Sequence, residues 1–321
     1  MRAARKQKGI ALVTAVMIVA IAAAIAVQIA FAHQIWFRQM ENVADRGATD
    51  WLRRGALHWA SVALIEDAAK GSIDHLGESW AMGLPTLPVE GGSIRVSIED
   101  AQSRFNLNNV WRGSALSRSD FDILQRLLDA LRLDKSLAYA LVDWIDPDSN
   151  AGPGGAEDID YLNLDPPYRA ANRPLASVDE LRLVRGFDAK TVAALLPYVT
   201  VLPPAASSTE INVNTAAPEV LAALVNLDVA SAQRIADVRR GKPFNNVGEF
   251  NAKLPASLAR PAGGMSVKSD FFLVTLDTSI GRHERRSEAL VQRSATDKST
   301  TLIWHRQLPL TGSDDEADRS Q

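Results

Sequence analysis

The densest chemistry in the chain lies between residues 143 and 168. Seven carboxylates (Asp143, Asp146, Asp148, Glu157, Asp158, Asp160 and Asp165) stand there without a lysine or arginine. Packed this closely they repel one another unless a cation neutralises them. Asp146, Asp148, Asn150 and Glu157 occupy positions 1, 3, 5 and 12 of a twelve-residue frame, the spacing at which a calcium loop presents its oxygens. Ala151 stands where an EF-hand has glycine, and Pro153 stiffens the middle of the frame. The expectation is oxygen-rich calcium coordination by Asp146, Asp148, Asn150, Glu157, Asp158 and Asp160, without an EF-hand; a solvated acidic loop is the alternative.

Other chemistry is thin. Five histidines (His33, His58, His75, His283, His305) show no metal spacing, no G-x-S-x-G elbow occurs, and there is no cysteine for a thiolate site, nucleophile or disulfide. No enzyme is expected. Without the four basic residues at the N-terminus the formal charge falls from −3 to −7, which argues against binding a phosphate backbone.

Several elements must position the acidic loop. Residues 10–32 are apolar but for Thr14 and Gln28, and a helix of that length reaches about 35 Å, enough to cross a membrane. Arg2, Arg5, Lys6 and Lys8 precede it, so the N-terminus is expected in the cytoplasm and the remainder across the membrane. Between residues 33 and 69 there is no proline, and the helix is expected to continue to Gly71 for about 60 residues, or about 90 Å. Ala44, Ala48, Trp51, Gly55, Trp59 and Val62 form one apolar stripe, expected to pack on a sheet. Strands are expected at residues 93–100, 271–281, 285–294 and 300–306, with helices between the first and second. Strand, helical excursion, then antiparallel strands make an α+β fold: one α/β domain carrying an all-helical insertion.

The helical region repeats itself. PLASVDEL (174–181) and PFNNVGEF (243–250) align at an offset of 69, each with capping-box spacing, Ser177 with Glu180 and Asn246 with Glu249. NLN (106–108) and NVN (212–214) each lead into a unit, and an apolar residue followed by aspartate marks turns at Leu133-Asp134, Phe187-Asp188 and Leu227-Asp228. The acidic loop is the main excess of the first copy: turn aspartate to repeat proline takes 40 residues there and 15 in the second.

Three resemblances follow. The basic leader ending at Gly9, followed at once by Ile10-Ala11-Leu12-Val13, resembles type IV prepilins; it implies cleavage after Gly9 and methylation of the new N-terminal Ile10. An A-x-A signal cut at Ala30-Phe31-Ala32 and an uncleaved anchor are the alternatives. The second hairpin unit resembles the helix-hairpin-helix module of DNA-uptake receptors, but Asn226 and Asp228 replace its glycines, so the fold is expected without the DNA site. Arg234, Arg239, Arg240 and Lys242 are read as a solvated helix face; a membrane-tethered DNA receptor is the alternative function.

SRFNLNNVW, DWIDPD…GGAED…YLNLDPPYRAANRPLASVDELRLV and INVNTAAPEVLAAL together resemble the protein K family of type II secretion, the largest minor pseudopilins. This implies a long transmembrane helix, a pilin-like α/β domain and an inserted SAM-like helix-hairpin domain. The corresponding segments are a leader (1–9), membrane helix (10–32), pilin-like parts (33–110 and 256–310), helical insertion (111–255) and a disordered acidic tail (311–321). Implied partners are I- and J-type minor pseudopilins, the major pseudopilin, the prepilin peptidase and secreted substrates, with no nucleic acid. The implied place is the tip of a periplasmic pseudopilus, anchored once in the inner membrane. Thr14 stands where pilins usually carry glutamate.

Overall fold

A computed structural model describes residues 8–83, 85–256, 258, 263–281, 283–294 and 296–309. It opens with one α-helix, α1 (Lys8–Lys70), 63 residues long and so about 95 Å. No proline interrupts it, and it ends where Gly71 N–H closes on Asp67 O at 2.9 Å. Residues 10–41 are all exposed, and the apolar part is long enough to cross a membrane.

The far half of α1 lies on an antiparallel sheet of β1 (Leu87–Val89), β2 (Gly92–Asp100), β3 (Phe271–Ile280), β4 (His283–Ser294) and β5 (Ser299–Leu308), in that spatial order. Alternation puts Ile94, Val96, Ile98, Phe272, Val274 and Leu276 on the helix side. Trp80 closes this core, its ring edge-on to Phe272 at 5.2 Å.

The helix meets the sheet through Thr49, Ala56, Ala60 and Leu64, all buried. The expected stripe is the wrong face: Ala44, Ala48, Trp51, Gly55, Trp59 and Val62 are all exposed, Trp51 at 74%. Mostly small side chains let the helix backbone approach the pleated surface closely, whereas two tryptophans would hold it away. Among the described residues nothing covers this apolar stripe.

The chain leaves the sheet at Asp100 and returns at Phe271. The core of the helical insertion includes Phe105, Leu107, Val110, Met265 and Val267, so the insertion is wider than the expected 111–255. It holds α2 (Arg118–Ala130), α3 (Leu137–Ile145), α4 (Asp158–Leu162), α5 (Ala189–Leu195), α6 (Pro218–Val225), α7 (Val229–Gly241) and α8 (Val247–Asn251).

The repeat has a structural cause. In the first unit Asn108 accepts from Leu175 N–H at 2.8 Å and donates to Leu175 O at 3.1 Å. In the second, Asn214 accepts from Phe244 N–H at 2.9 Å and donates to Phe244 O at 3.0 Å. Leu175 and Phe244 are the second residues of the two matching octapeptides. Each asparagine thus serves as a substitute backbone group inside a buried loop, satisfying both polar atoms of one residue. Asp188 and Asp228 accept from Thr191 N–H and Ser231 N–H as helix N-caps. Of the two expected capping boxes, Asn246 caps Glu249 N–H at 3.0 Å, while Ser177 makes no such bond and begins a 3₁₀ helix.

Candidate metal centre

Two helices aim the acidic loop. Asp146 is the residue at which α3 stops, its N–H bonded to Val142 O at 2.8 Å while its extended ψ of 158° sends the chain outward. Glu157 is the residue from which α4 starts, its N–H held by Asp160 Oδ2 at 3.1 Å. Between them the loop folds back onto Asp143, which accepts from Gly152 N–H at 3.2 and 3.0 Å. A Cβ on Gly155 would lie 1.7 Å from Asp143 Oδ2. Only glycine allows that approach.

Asp146, Asp148 and Glu157 each present an oxygen, and these lie within 4.8 Å of one another. Asp146 and Glu157 are buried, and Asp146 Oδ1 and Glu157 Oε1 have no hydrogen-bond partner among the described residues. Burial, reinforced by the charges of Asp148 and Asp143, pushes the Asp146 carboxyl up to about 6. Burial, then the neighbouring Asp146, pushes Glu157 up to about 7. Three converging carboxylates, two of them buried with an orphaned oxygen, are costly unless a cation takes them. The donors are all hard oxygens, a set that fits calcium better than a metal preferring thiolate or imidazole.

Asn150 is exposed, and its N–H closes a short turn on Asp148 Oδ1 at 2.7 Å. Asp158 and Asp160, part of the expected ligand set, are committed elsewhere. Asp158 accepts from Arg169 and Ala170 N–H, both at 3.0 Å, and Asp160 from Glu157 N–H and Arg185. Their work is to tie α4 to the chain that follows. Trp144 backs the loop, edge-on to Tyr161 at 5.1 Å.

Sequence reasoning missed the role of Asp143, for which the glycines at 152, 154 and 155 were the available signal. It also missed a second carboxylate group, Asp67, Asp74 and Glu78. There the oxygens are already used: Arg293 binds Asp67 and Asp74, and Glu78 accepts from His75 N–H and Trp80 Nε1.

Gly9 and Ile10 lie in the first turn of α1, and Thr14 Oγ1 bonds to Ile10 O and Ala11 O, each at 3.0 Å. Residues 1–7 of the expected leader and the tail at 311–321 fall outside the described residues. In the second hairpin Asn226 adopts the left-handed conformation (φ 55°), and Asp228 already holds the N–H at the start of α7. Arg239, expected on a solvated face, is buried. It donates to Val213 O and Ala216 O, and burial lowers its pKa to about 10.

Residues 103–204 and 211–271 match two family models, both described as type II secretion system (T2SS), protein K. The chain is 32% identical to type II secretion system protein K of Pseudomonas aeruginosa, over 97% of this chain and 98% of that one. It is also 32% identical to the protein K of Klebsiella pneumoniae, over 90% and 93%. Among solved structures it resembles a chain in the GspK-GspI-GspJ complex from the type 2 secretion system of enterotoxigenic Escherichia coli. The TM-score is 0.72 at 29% identity, covering 81% of this chain and 95% of that one.

Proposed function

The chain belongs to the type II secretion system protein K family, and we propose that it serves there as a non-enzymatic minor pseudopilin that caps the pseudopilus tip and assists export of folded proteins across the outer membrane. The observation that carries this reading is the uncovered apolar face of α1. Beyond the membrane-length run, Trp36, Phe37, Met40, Val43, Trp51 and Trp59 are 38–74% exposed on a helix that has already met its own sheet with other residues. A patch of this kind marks a contact surface. I- and J-type minor pseudopilins, the company a similar chain keeps in the solved complex, suit it.

The remaining parts fit the same role. Cleavage after Gly9 leaves Ile10 as a methylated N-terminus, and the anchor runs from cytoplasm to periplasm. Thr14 bonds to its own helix, so no carboxylate enters the apolar layer unpaired, at a cost of about 3 kcal/mol on an insertion scale. A subunit with nothing assembled above it has no N-terminal ammonium to meet such a carboxylate. Calcium, held by Asp146, Asp148 and Glu157, stabilises the loop by neutralising its buried charge.

The test is Trp51→Asp together with Trp59→Asp. Co-purification with I- and J-type partners is expected to be lost while thermal unfolding of the periplasmic region is unchanged. Undiminished co-purification would contradict the assignment of this face.

A further inference from the structure

We propose that the acidic C-terminal segment, residues 310–321, docks back into a basic cleft between α1 and the last two strands. The cleft has a volume of about 260 Å³. Beyond Leu276 and Ala289 the helix-side face of the sheet turns polar, apart from the buried Ile280. The next positions on that face, by register, are Thr278, Arg285, Ser287 and Gln307, and α1 answers them with Arg46, Asp50 and Arg53. Where the core gives out, a polar cleft opens.

Its charges do not balance. Among the described residues Asp50 is the one carboxylate in the lining, and it is shared by Arg53 at 2.7 Å and Arg54 at 3.0 Å. Arg306, also in the lining, is satisfied by Glu288 and Asp179. Arg46 and Arg285 have no carboxylate partner among the described residues; Arg285 reaches only Gln307 Oε1, at 3.4 Å.

The chain supplies the missing charge next to the place that lacks it. Strand β5 ends at Leu308, which pairs with Arg286, so the chain emerges beside Arg285. Asp314, Asp315, Glu316 and Asp318 follow, against a single Arg319. The five Cα–Cα steps from Pro309 to Asp314 span at most about 17 Å when extended, ample for a cleft of this size. Tethering holds such a segment at an effective concentration of about millimolar, so ion pairs too weak to retain a free peptide retain this one. Lipid headgroups are a poor rival. Arg46 stands 14 residues past the apolar run, about 20 Å along the helix and beyond a Debye length of about 8 Å.

The chain has no cysteine, so an introduced pair reports on itself alone. Val43→Cys, exposed one turn before Arg46, and Ser313→Cys in the tail are combined in the full-length protein in detergent and treated with a short bis-maleimide. Intramolecular cross-linking is expected at about 0.1 M salt and should slow at least about tenfold at about 1 M. Replacing the four tail acids by Asn or Gln should slow it equally, as should Arg46→Gln with Arg285→Gln, with unchanged circular dichroism in each variant. Cross-linking indifferent to salt and charge, no cross-linking at low salt, or cross-links only between molecules would each overturn the proposal, the last pointing to an acidic segment of a neighbouring subunit.

Discussion

Arg293 and Asp74 form a buried forked pair: Nη2 of Arg293 lies 2.6 Å from Oδ1 and 2.7 Å from Oδ2 of Asp74, both side chains being at most 5% exposed. Arg293 sits near the end of β4 and Asp74 just beyond α1. Asp74 also accepts from Ser269 N–H at 2.7 Å, and Arg293 donates to Ser269 O at 2.7 Å. Ser269 lies where the helical insertion returns to the sheet, so one guanidinium fastens helix, sheet and insertion together. The Phe272 ring lies 4.6 Å beneath it.

Removing that guanidinium leaves Asp74 buried and unpaired. Arg293→Met is therefore expected to cost about 3–5 kcal/mol, measured by denaturant unfolding of the periplasmic region. Adding Asp74→Asn should recover part of the loss, because it removes the stranded charge. A loss below about 1 kcal/mol would show that the junction is dispensable.

The same junction sets a pH dependence. Asp100 is fully buried, and burial pushes its carboxyl up to about 6 even though Ser269, Thr215 and Gln102 N–H donate to it. Its folded pKa exceeds the unfolded value of 3.8, so the native state takes the proton first. Ionisation above pH 6 therefore costs stability, and the cost shrinks as pH falls from about 6 toward 4. Between about pH 7 and 5, with calcium in excess, Asp100 should add about 1 kcal/mol on acidification. Asp100→Asn should flatten the profile by that amount; parallel profiles for the two proteins would exclude this origin.

Calcium should raise the melting temperature, because a cation that binds only the folded loop stabilises it by about 2.7 kcal/mol at a hundredfold excess over its Kd. Asp146→Asn with Glu157→Gln should abolish the gain and also relieve the charge strain of the metal-free protein. Gly155→Ala should weaken calcium at least about tenfold, since its Cβ would displace Asp143 and with it the fold of the loop. A melting curve identical in chelator and in millimolar calcium would remove the metal from the account.

What was legible follows from which interactions are local. Alternation of Ile94, Val96 and Ile98 shows a strand because its cause is the pleat, and positions 1, 3 and 12 of the twelve-residue frame bring their oxygens together because a loop is a local object, while Asn150 at position 5 stays exposed. The octapeptide repeat was visible, yet its reason, the clamp by Asn108 and Asn214 on Leu175 and Phe244, spans 67 and 30 residues and could not be read. The face of α1 was misread for a related reason. Two apolar faces compete along it, and hydrophobicity favours the one with Trp51 and Trp59, whereas close approach to the sheet favours Thr49, Ala56 and Ala60. Nothing local in the sequence marks Arg293, and only the tertiary fold brings Asp74 to it, 219 residues away in sequence.

The central claim is a place, the filament tip, and it is tested most directly by labelling. A cysteine placed at exposed Met82, in a chain with none of its own, is tagged with gold on pseudopili sheared from cells. The account predicts one label at one end of each filament, retained there when Thr14 is changed to Glu, because no subunit above offers an ammonium that would draw that carboxylate into the shaft. Labels distributed along the shafts of the unmodified protein's filaments would contradict it.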